Sequence, residues 1–329
     1  MLMPLISLGR KARHWAEAQT PWTNVYGVAR SLLAIGTAAT LLFNDSTILF
    51  RPASGITQTI NCANLSRVGV FCLLPAHLEV ARWAAVLILL VVASGWRPRI
   101  TGLLHWWVAY SLQTSALVLD GGDQVTAVLT LLLLPVTLTD SRRWHWTTPP
   151  ARVDAPLTLK STLSRLCALF ALVVIRIQVS GIYLHAAVSK MSINEWIDGT
   201  VLYYWFTDPL VGLPSWLSPL LLPVATSPLV ALLTWSALLV ELLLFMGLVM
   251  PKKAWSALLV AGIAFHGGIA LAMGLISFGT AMTAALILYL RPREQEFSIP
   301  RLNGIRRVGA LILRQREKSK GSDAVPSSL

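Results

Sequence analysis

The sequence predicts an all-α polytopic membrane protein of about eight transmembrane helices, with both termini cytoplasmic. Three observations carry this prediction. Hydrophobic residues make up 55% of the chain and charged residues 13%, whereas soluble domains carry about a quarter charged residues. The mean hydropathy of +0.64 belongs to a chain whose length goes into apolar spans, each needing roughly 20 residues to cross a bilayer. Apolar runs also recur from end to end, with polar, Gly- or Pro-bearing punctuation between them.

In chain order, the first run (26–43) is followed by a polar loop (44–77), and the second (78–96) stops at Arg97-Pro98-Arg99. The third (101–119) ends at Asp120-Gly121-Gly122-Asp123, and the short fourth (124–138) closes with Asp140-Ser141-Arg142-Arg143. A basic, proline-bearing linker covers 144–160. The fifth span (163–184) has room to extend towards Lys190 and leads into a long aromatic loop, 191–216. Pro209, Pro214, Pro219, Pro223 and Pro228 break the far side of that loop and predict a short interfacial helix before the sixth span, 229–249. The seventh and eighth cover 254–274 and 276–290. The expected organisation is a basic cytoplasmic segment (1–24), a transmembrane domain (25–290) and a basic cytoplasmic tail (291–329) whose end is disordered. The first 22 residues lack an apolar h-region with a small-residue cleavage site, so no removable signal peptide is expected. No internal repeat or soluble domain is apparent.

The basic residues orient the spans. Arg10, Lys11, Arg13, Arg97, Arg99, Arg142, Arg143, Arg152, Lys160, Arg165, Lys252, Lys253 and nine more from Arg291 onward fall on one side, 21 of the 27 Lys and Arg. Only Arg51, Arg67 and Lys190 fall in the opposite loops, with Arg82 at the outer end of the second span. The positive-inside rule places the richer side in the cytoplasm. The formal charge of +12 is thus mostly a topology signal, with some attraction to anionic lipid, and nucleic acid is not needed to explain it.

An ionisable group within a span costs on the order of 3 kcal/mol and normally faces a protein partner or a wet cavity. Arg30, His105, Arg176, His185, Glu241 and His266 are such groups. Arg30 and His105 lie near the cytoplasmic face, where snorkelling would account for them. Arg176 and Glu241 occupy the inner to middle parts of their spans, and a buried ion pair between them is the plain expectation. His266 is mid-span in Ala264-Phe265-His266-Gly267-Gly268, where the glycines would let another helix approach.

The outer face concentrates the remaining polar groups: Asp120, Asp123, His185 and Lys190, then Asp198 and Asp208 beside Trp196, Tyr203, Tyr204 and Trp205. These could form one extracytoplasmic pocket; the competing reading is an interfacial aromatic belt with solvated loop charges. Candidate catalytic residues are Lys190, Asp123, His266, Asp120 and Asp198. Candidate substrate-binding residues are His185, Tyr183, Trp196, Tyr203 and Tyr204. A lysine at a dry helix end can serve as a base, whereas a carboxylate neighbour would keep it charged, and the sequence leaves both open. No His/Cys cluster has metal-ligand spacing, and neither a phosphate-cradling Gly loop nor a nucleophile elbow is present. Cys62 and Cys72 share an extracytoplasmic loop and are expected to form a structural disulfide, a redox-active pair lacking the C-x-x-C spacing. Cys167 is expected to be inert packing.

Several stretches, taken in order, resemble a known family. They are Ala29-Arg30-Ser31-Leu32-Leu33-Ala34 with Leu41-Leu42-Phe43-Asn44, then Trp96-Arg97-Pro98-Arg99 leading to His105-Trp106-Trp107, and Asp120-Gly121-Gly122-Asp123-Gln124. Ile182-Tyr183 through Lys190 then runs into Trp196-Ile197-Asp198-Gly199-Thr200, and His266 precedes Met273-Gly274-Leu275 and Phe278. Across roughly 26–290, the chain resembles the SdpB family (sporulation-delaying protein B-like). That family sits within the HTTM group, which includes vitamin K-dependent gamma-carboxylase. The resemblance implies an HTTM-like bundle and a role in maturing a secreted peptide toxin. The implied partners are a small SdpA-like protein and an exported SdpC-like precursor. No cofactor is implied by that role. The carboxylase comparison offers a second reading, a quinone-dependent peptide modification, because Lys190 stands ahead of Trp196-Ile197-Asp198-Gly199 much as the carboxylase base stands ahead of its Trp-x-acid-Gly stretch. Asp123 stands near the place of a carboxylase histidine, and no counterpart of the carboxylase lumenal domain is expected. A transporter or toxin-immunity protein ranks third, since no transporter-like repeat is seen.

Overall fold

The computed structural model describes residues 2–51, 60, 62–117, 119–147 and 157–298, the side chains of 2–6 excepted. Arg152, the middle of the 144–160 linker and the tail beyond residue 298 lie outside the described residues. The polypeptide up to Glu296 forms one compact unit.

Among the described residues the structure is helical, without a strand; the one β contact is an isolated antiparallel bridge between Trp96 and Trp144. Helix α1 (Leu2–Ala18) precedes α2 (Asn24–Phe43), α3 (Ser46–Leu49), a 3₁₀ turn (Asn64–Val68), α4 (Val70–Leu73) and α5 (Leu78–Ala93). Then come α6 (Pro98–Ser115), α7 (Gly121–Thr139) and the long α8 (Leu159–Lys190). Short helices α9 (Asn194–Ile197), α10 (Val201–Thr207) and α11 (Ser218–Ala225) cross the aromatic loop, before α12 (Leu229–Met246), α13 (Lys252–Met273) and α14 (Ile276–Leu290). All eight expected spans are helices: α2, α5, α6, α7, α8, α12, α13 and α14. A short helix expected before the sixth span is present as α11.

Local chemistry sets the boundaries. Asp120 caps α7 by accepting from the backbone of Gly122 (2.7 Å) and Asp123 (3.1 Å). Thr158 caps α8 by accepting from Ser161 N at 3.3 Å. Pro98 opens α6, where its missing N–H leaves no bond unmade. Gly274, at φ +71°, ends α13 in the left-handed conformation that glycine adopts without penalty.

Five of the helices (α2, α7, α8, α12, α13) are long and apolar enough to cross a membrane on those criteria alone. At 32 residues, α8 extends about 48 Å and overshoots a hydrocarbon core of about 30 Å. α14 is only 15 residues long, but it packs against α2, α7, α8 and α13, and nearly every residue from Ala281 to Leu290 is buried. α12 is the opposite case. Its buried residues are Val230, Thr234, Leu238, Glu241 and Leu244, a single seam at helical spacing, and the rest of its apolar surface faces outward.

The bundle has two chemically distinct ends. At the basic end, Arg97 N donates to Arg143 O (2.8 Å), His145 N to Gly95 O (3.0 Å), and Arg165 to Ala16 O (3.3 Å). The residues expected to be cytoplasmic gather there. The opposite end carries the end of α6, the start of α7, α9–α11 and the loop closed by the Cys62–Cys72 disulfide, whose Cα atoms are 5.6 Å apart. That loop packs through Phe50 against Phe71 at 4.8 Å and through Trp107 Nε1 donating to Val68 O at 2.7 Å.

Three local expectations are corrected. Cys167 is exposed on the outer surface of α8 rather than packed inside. Gly267 and Gly268 admit no close helix, since a Cβ at either would meet nothing within 4 Å. The close approaches are made instead by Gly262, whose Cβ would lie 2.8 Å from Leu286, and by Gly122, whose Cβ would lie 2.7 Å from the Cα of Phe278. Arg30 and His105 do not snorkel; each is 1% exposed within the bundle.

Candidate functional site

A cavity of about 730 Å³ lies between α7, α8, α12, α13 and α14, in the half of the bundle nearer the disulfide. That volume lies within the roughly 300–1,000 Å³ of pockets that enclose small ligands. α8 lines it from Ile177 onward, with Gln178, Ile182 and His185 along one face, and Lys190, its last residue, reaches back into the bundle. There Lys190 Nζ forms an ion pair with Glu241 on the buried seam of α12. The ammonium also lies 5.2 Å from the ring centroid of Trp196, which α9 folds underneath. Lys190 therefore binds three elements together.

The other polar pair is Tyr183 with His266, whose hydroxyl and Nε2 are 3.0 Å apart. Phe265 and Phe278 flank the imidazole edge-on, at 5.0 and 5.4 Å between centroids. Phe278 is held there because Gly122 lets α7 meet α14 and because Ser277 Oγ donates to Asp120 Oδ2 at 2.5 Å. Two wall atoms have no partner, Glu241 Oε2 and His266 Nδ1, and both are buried. An apolar cleft with a partly accessible charged pair and an aromatic suits a ligand that brings both apolar and polar groups, as an extended peptide segment does.

Of the residues singled out from the sequence, Lys190, His266, Tyr183 and His185 line this cavity, and Trp196 supports it. Asp120 is a helix cap joined to Ser277, so it positions the wall. Asp123 is buried on another side of α7 and is not part of the lining; its Oδ2 has no partner. Asp198 is exposed and accepts from Thr200 N (3.1 Å) and Oγ1 (2.6 Å), closing a turn away from the cavity. Tyr203 and Tyr204 are exposed and contact each other edge-on at 5.4 Å, as aromatic-belt residues would. Asp208 is partly exposed, and the backbone N–H groups of Val211 and Leu210 hold its carboxyl below the usual range. The single outer pocket expected from sequence is therefore divided into an enclosed cavity and a surface loop.

The expected Arg176–Glu241 pair does not form. Glu241 takes Lys190 instead, and Arg176 stacks on Trp255, its guanidinium carbon 3.9 Å from the ring centroid. Among the described residues no group of three or more His, Cys, Asp or Glu comes together in a metal-holding arrangement.

No family model matches the chain, and no solved structure matches it. An uncharacterized protein of Bacillus subtilis, YitO, is 46% identical over 282 residues, 84% of this chain and 88% of its own length. Sporulation-delaying protein SdpB of Bacillus subtilis is 39% identical over 288 residues, 87% of this chain and 86% of its own. The chain belongs to the SdpB-like family.

In this SdpB-like protein the basic end holds a second polar cluster, in which Arg30 and His105, singled out from the sequence, lie with Tyr26, Asp140, Arg142 and His145, which were not. Tyr26 donates to Asp140 Oδ2, and Arg142 holds the same carboxylate at 2.8–3.2 Å through Nε and Nη2. Arg30 Nη2 donates to Thr101 Oγ1 at 2.7 Å, while its Nε and Nη1 and His105 Nε2 are buried without partners. His145 packs under Gly27 and Gly95, with Nε2 3.3 Å from Ser31 Oγ. Burial pushes the His145 imidazole down to about 2, with the nearby Arg30 and Arg142 acting in the same direction. For His145 the sequence hint is the Trp144-His145-Trp146 triplet, an aromatic-flanked histidine in an otherwise basic linker.

Proposed function

We propose that this protein is the membrane component of a secreted peptide-toxin maturation system in the bacterial cell membrane. On this reading it acts with a small SdpA-like partner on an exported SdpC-like precursor at the extracytoplasmic face. The observation that carries the reading is the Lys190–Glu241 cavity: its lining lies towards the end poor in basic residues, which the positive-inside rule assigns to the exterior. A precursor segment entering there meets an apolar wall and the partly accessible Lys190 side chain. Family membership supports the pathway.

The test is to delete the gene in the producing strain, which should leave unprocessed precursor outside the cell. Normal mature peptide in that strain would end the reading. Lys190→Ala and His266→Ala should reproduce the deletion if the protein still inserts, and Asp123→Asn reports whether the buried α7 carboxylate contributes.

A second reading, quinone-dependent peptide modification in the manner of the HTTM carboxylase, is favoured by the apolar wall and by Lys190 preceding Trp196-Ile197-Asp198-Gly199. The engagement of Lys190 by Glu241 and Trp196 counts against it, because a base must be free to accept a proton. Mass spectrometry of the secreted peptide separates the two: this reading requires a mass change beyond cleavage and disulfide formation. Rescue of toxin-sensitive cells by this chain alone would point instead to immunity.

A further inference from the structure

At the basic end, away from the Lys190 cavity, lies a second hollow of about 240 Å³. It is smaller than the roughly 300 Å³ at which pockets begin to enclose drug-sized ligands. Its lining includes Arg176, Lys252, Arg291 and Arg293 against one carboxylate, Glu294. No carboxylate pairs with Arg176 among the described residues, and the guanidinium groups of Arg176 and Arg293 repel one another. Arg293 places Nη2 on Gln19 Oε1 and leaves Nη1 buried with no hydrogen-bond partner. Trp255 braces the group, with Arg176 at 3.9 Å and Lys252 Nζ at 6.0 Å from its ring centroid.

So many cations gathered around a small space, with an unspent guanidinium N–H, call for an anion rich in acceptor oxygens. The far wall says which. Leu169, Leu172 and Val173 of α8 line the hollow, and this surface continues into Phe170 and Ile177, which are 66% and 55% exposed on the apolar outside of the same helix. A ligand lying here would have its anion among the cations and its remainder along an apolar helix face.

We propose that this hollow binds the phosphodiester headgroup of an anionic phospholipid, with Arg176, Lys252 and Arg293 on the phosphate and the acyl chains along α8. Trp15 and Trp255 also line the hollow, and tryptophan is a side chain that favours the membrane interface. The inference does not depend on the toxin-maturation reading, and its test does not use maturation as a readout.

The test is thermal unfolding of the purified full chain in a zwitterionic detergent, titrated with phosphatidylglycerol, with phosphatidylcholine of the same chains, and with inorganic phosphate. Phosphatidylglycerol should raise the melting temperature saturably, and the other two should not. Arg293→Gln and Lys252→Gln, at partly exposed and exposed positions, should each weaken the phosphatidylglycerol midpoint by roughly fivefold. Native mass spectrometry of the unaltered chain in mixed lipid should retain phosphatidylglycerol preferentially, an outcome that needs no variant to fold. Equal shifts with phosphatidylcholine, a full shift with inorganic phosphate, or an undiminished preference in both variants would each overturn the proposal.

Discussion

The two ends of the bundle solve the same electrostatic problem differently. Each carries a carboxylate pair within apolar surroundings: Asp140 with Arg142 at the basic end, and Glu241 with Lys190 towards the other. Asp140 is 1% exposed; its two oxygens are taken by Tyr26, the Arg142 side chain and the Arg142 backbone N–H. Glu241 has one partner and one unpartnered oxygen, and Lys190 keeps 24% of its side-chain surface accessible beside a cavity. A saturated carboxylate acts as a clamp, here fastening the 140–147 linker to α2. An unsaturated one beside a cavity retains capacity for a ligand.

That contrast can be broken most directly at the clamp. Asp140→Ala strands a buried guanidinium and a buried phenol, and should cost about 3–5 kcal/mol in detergent-solubilised protein. A loss below about 1 kcal/mol would show that the network is not a clamp. At the cavity, Lys190→Met or Glu241→Leu alone should cost about 2 kcal/mol, less because the pair is partly solvated. The Lys190→Met/Glu241→Leu double variant should recover most of that stability while peptide maturation stays lost. Recovery of both would make the pair structural like its counterpart.

Acid should act on the basic end first. Folded His145 titrates near 2 and an unfolded histidine near 6.5, so between these values the unfolded chain binds the extra proton. Stability should therefore fall as pH drops below about 6.5, with a slope of up to about 1.4 kcal/mol per pH unit from this group. His145→Gln should flatten unfolding-versus-pH curves over that window. Smaller still, Tyr183→Phe removes one hydrogen bond to His266 and should cost about 1 kcal/mol. Asp198→Asn, on an exposed turn, should stay within about 0.5 kcal/mol and leave maturation intact.

The cavity was only partly legible in the sequence. Lys190, His266, Tyr183 and His185 stand out because polar groups in apolar runs demand a reason. Asp198, Tyr203 and Tyr204 looked equivalent because they share a loop, yet a tight turn keeps Asp198 on the surface. Glu241 was noticed and given the wrong partner. Arg176 is closer to it by depth within the spans, but Lys190 has a long flexible stem that reaches inward from the helix end.

What the sequence by itself determined is local: the eight apolar segments, the polar and proline-bearing breaks between them and the gathering of basic residues at alternate turns. Each follows from backbone chemistry or from the cost of moving charge across lipid, and neither needs a neighbour to be known. Only the tertiary structure decided that Lys190 meets Glu241, that α14 is the buried post and that α12 shows the core a single seam. In a membrane both the lipid-facing and the core-facing sides of a helix are apolar, so hydropathy does not reveal how each helix is rotated. Rotation then decides which polar atoms meet.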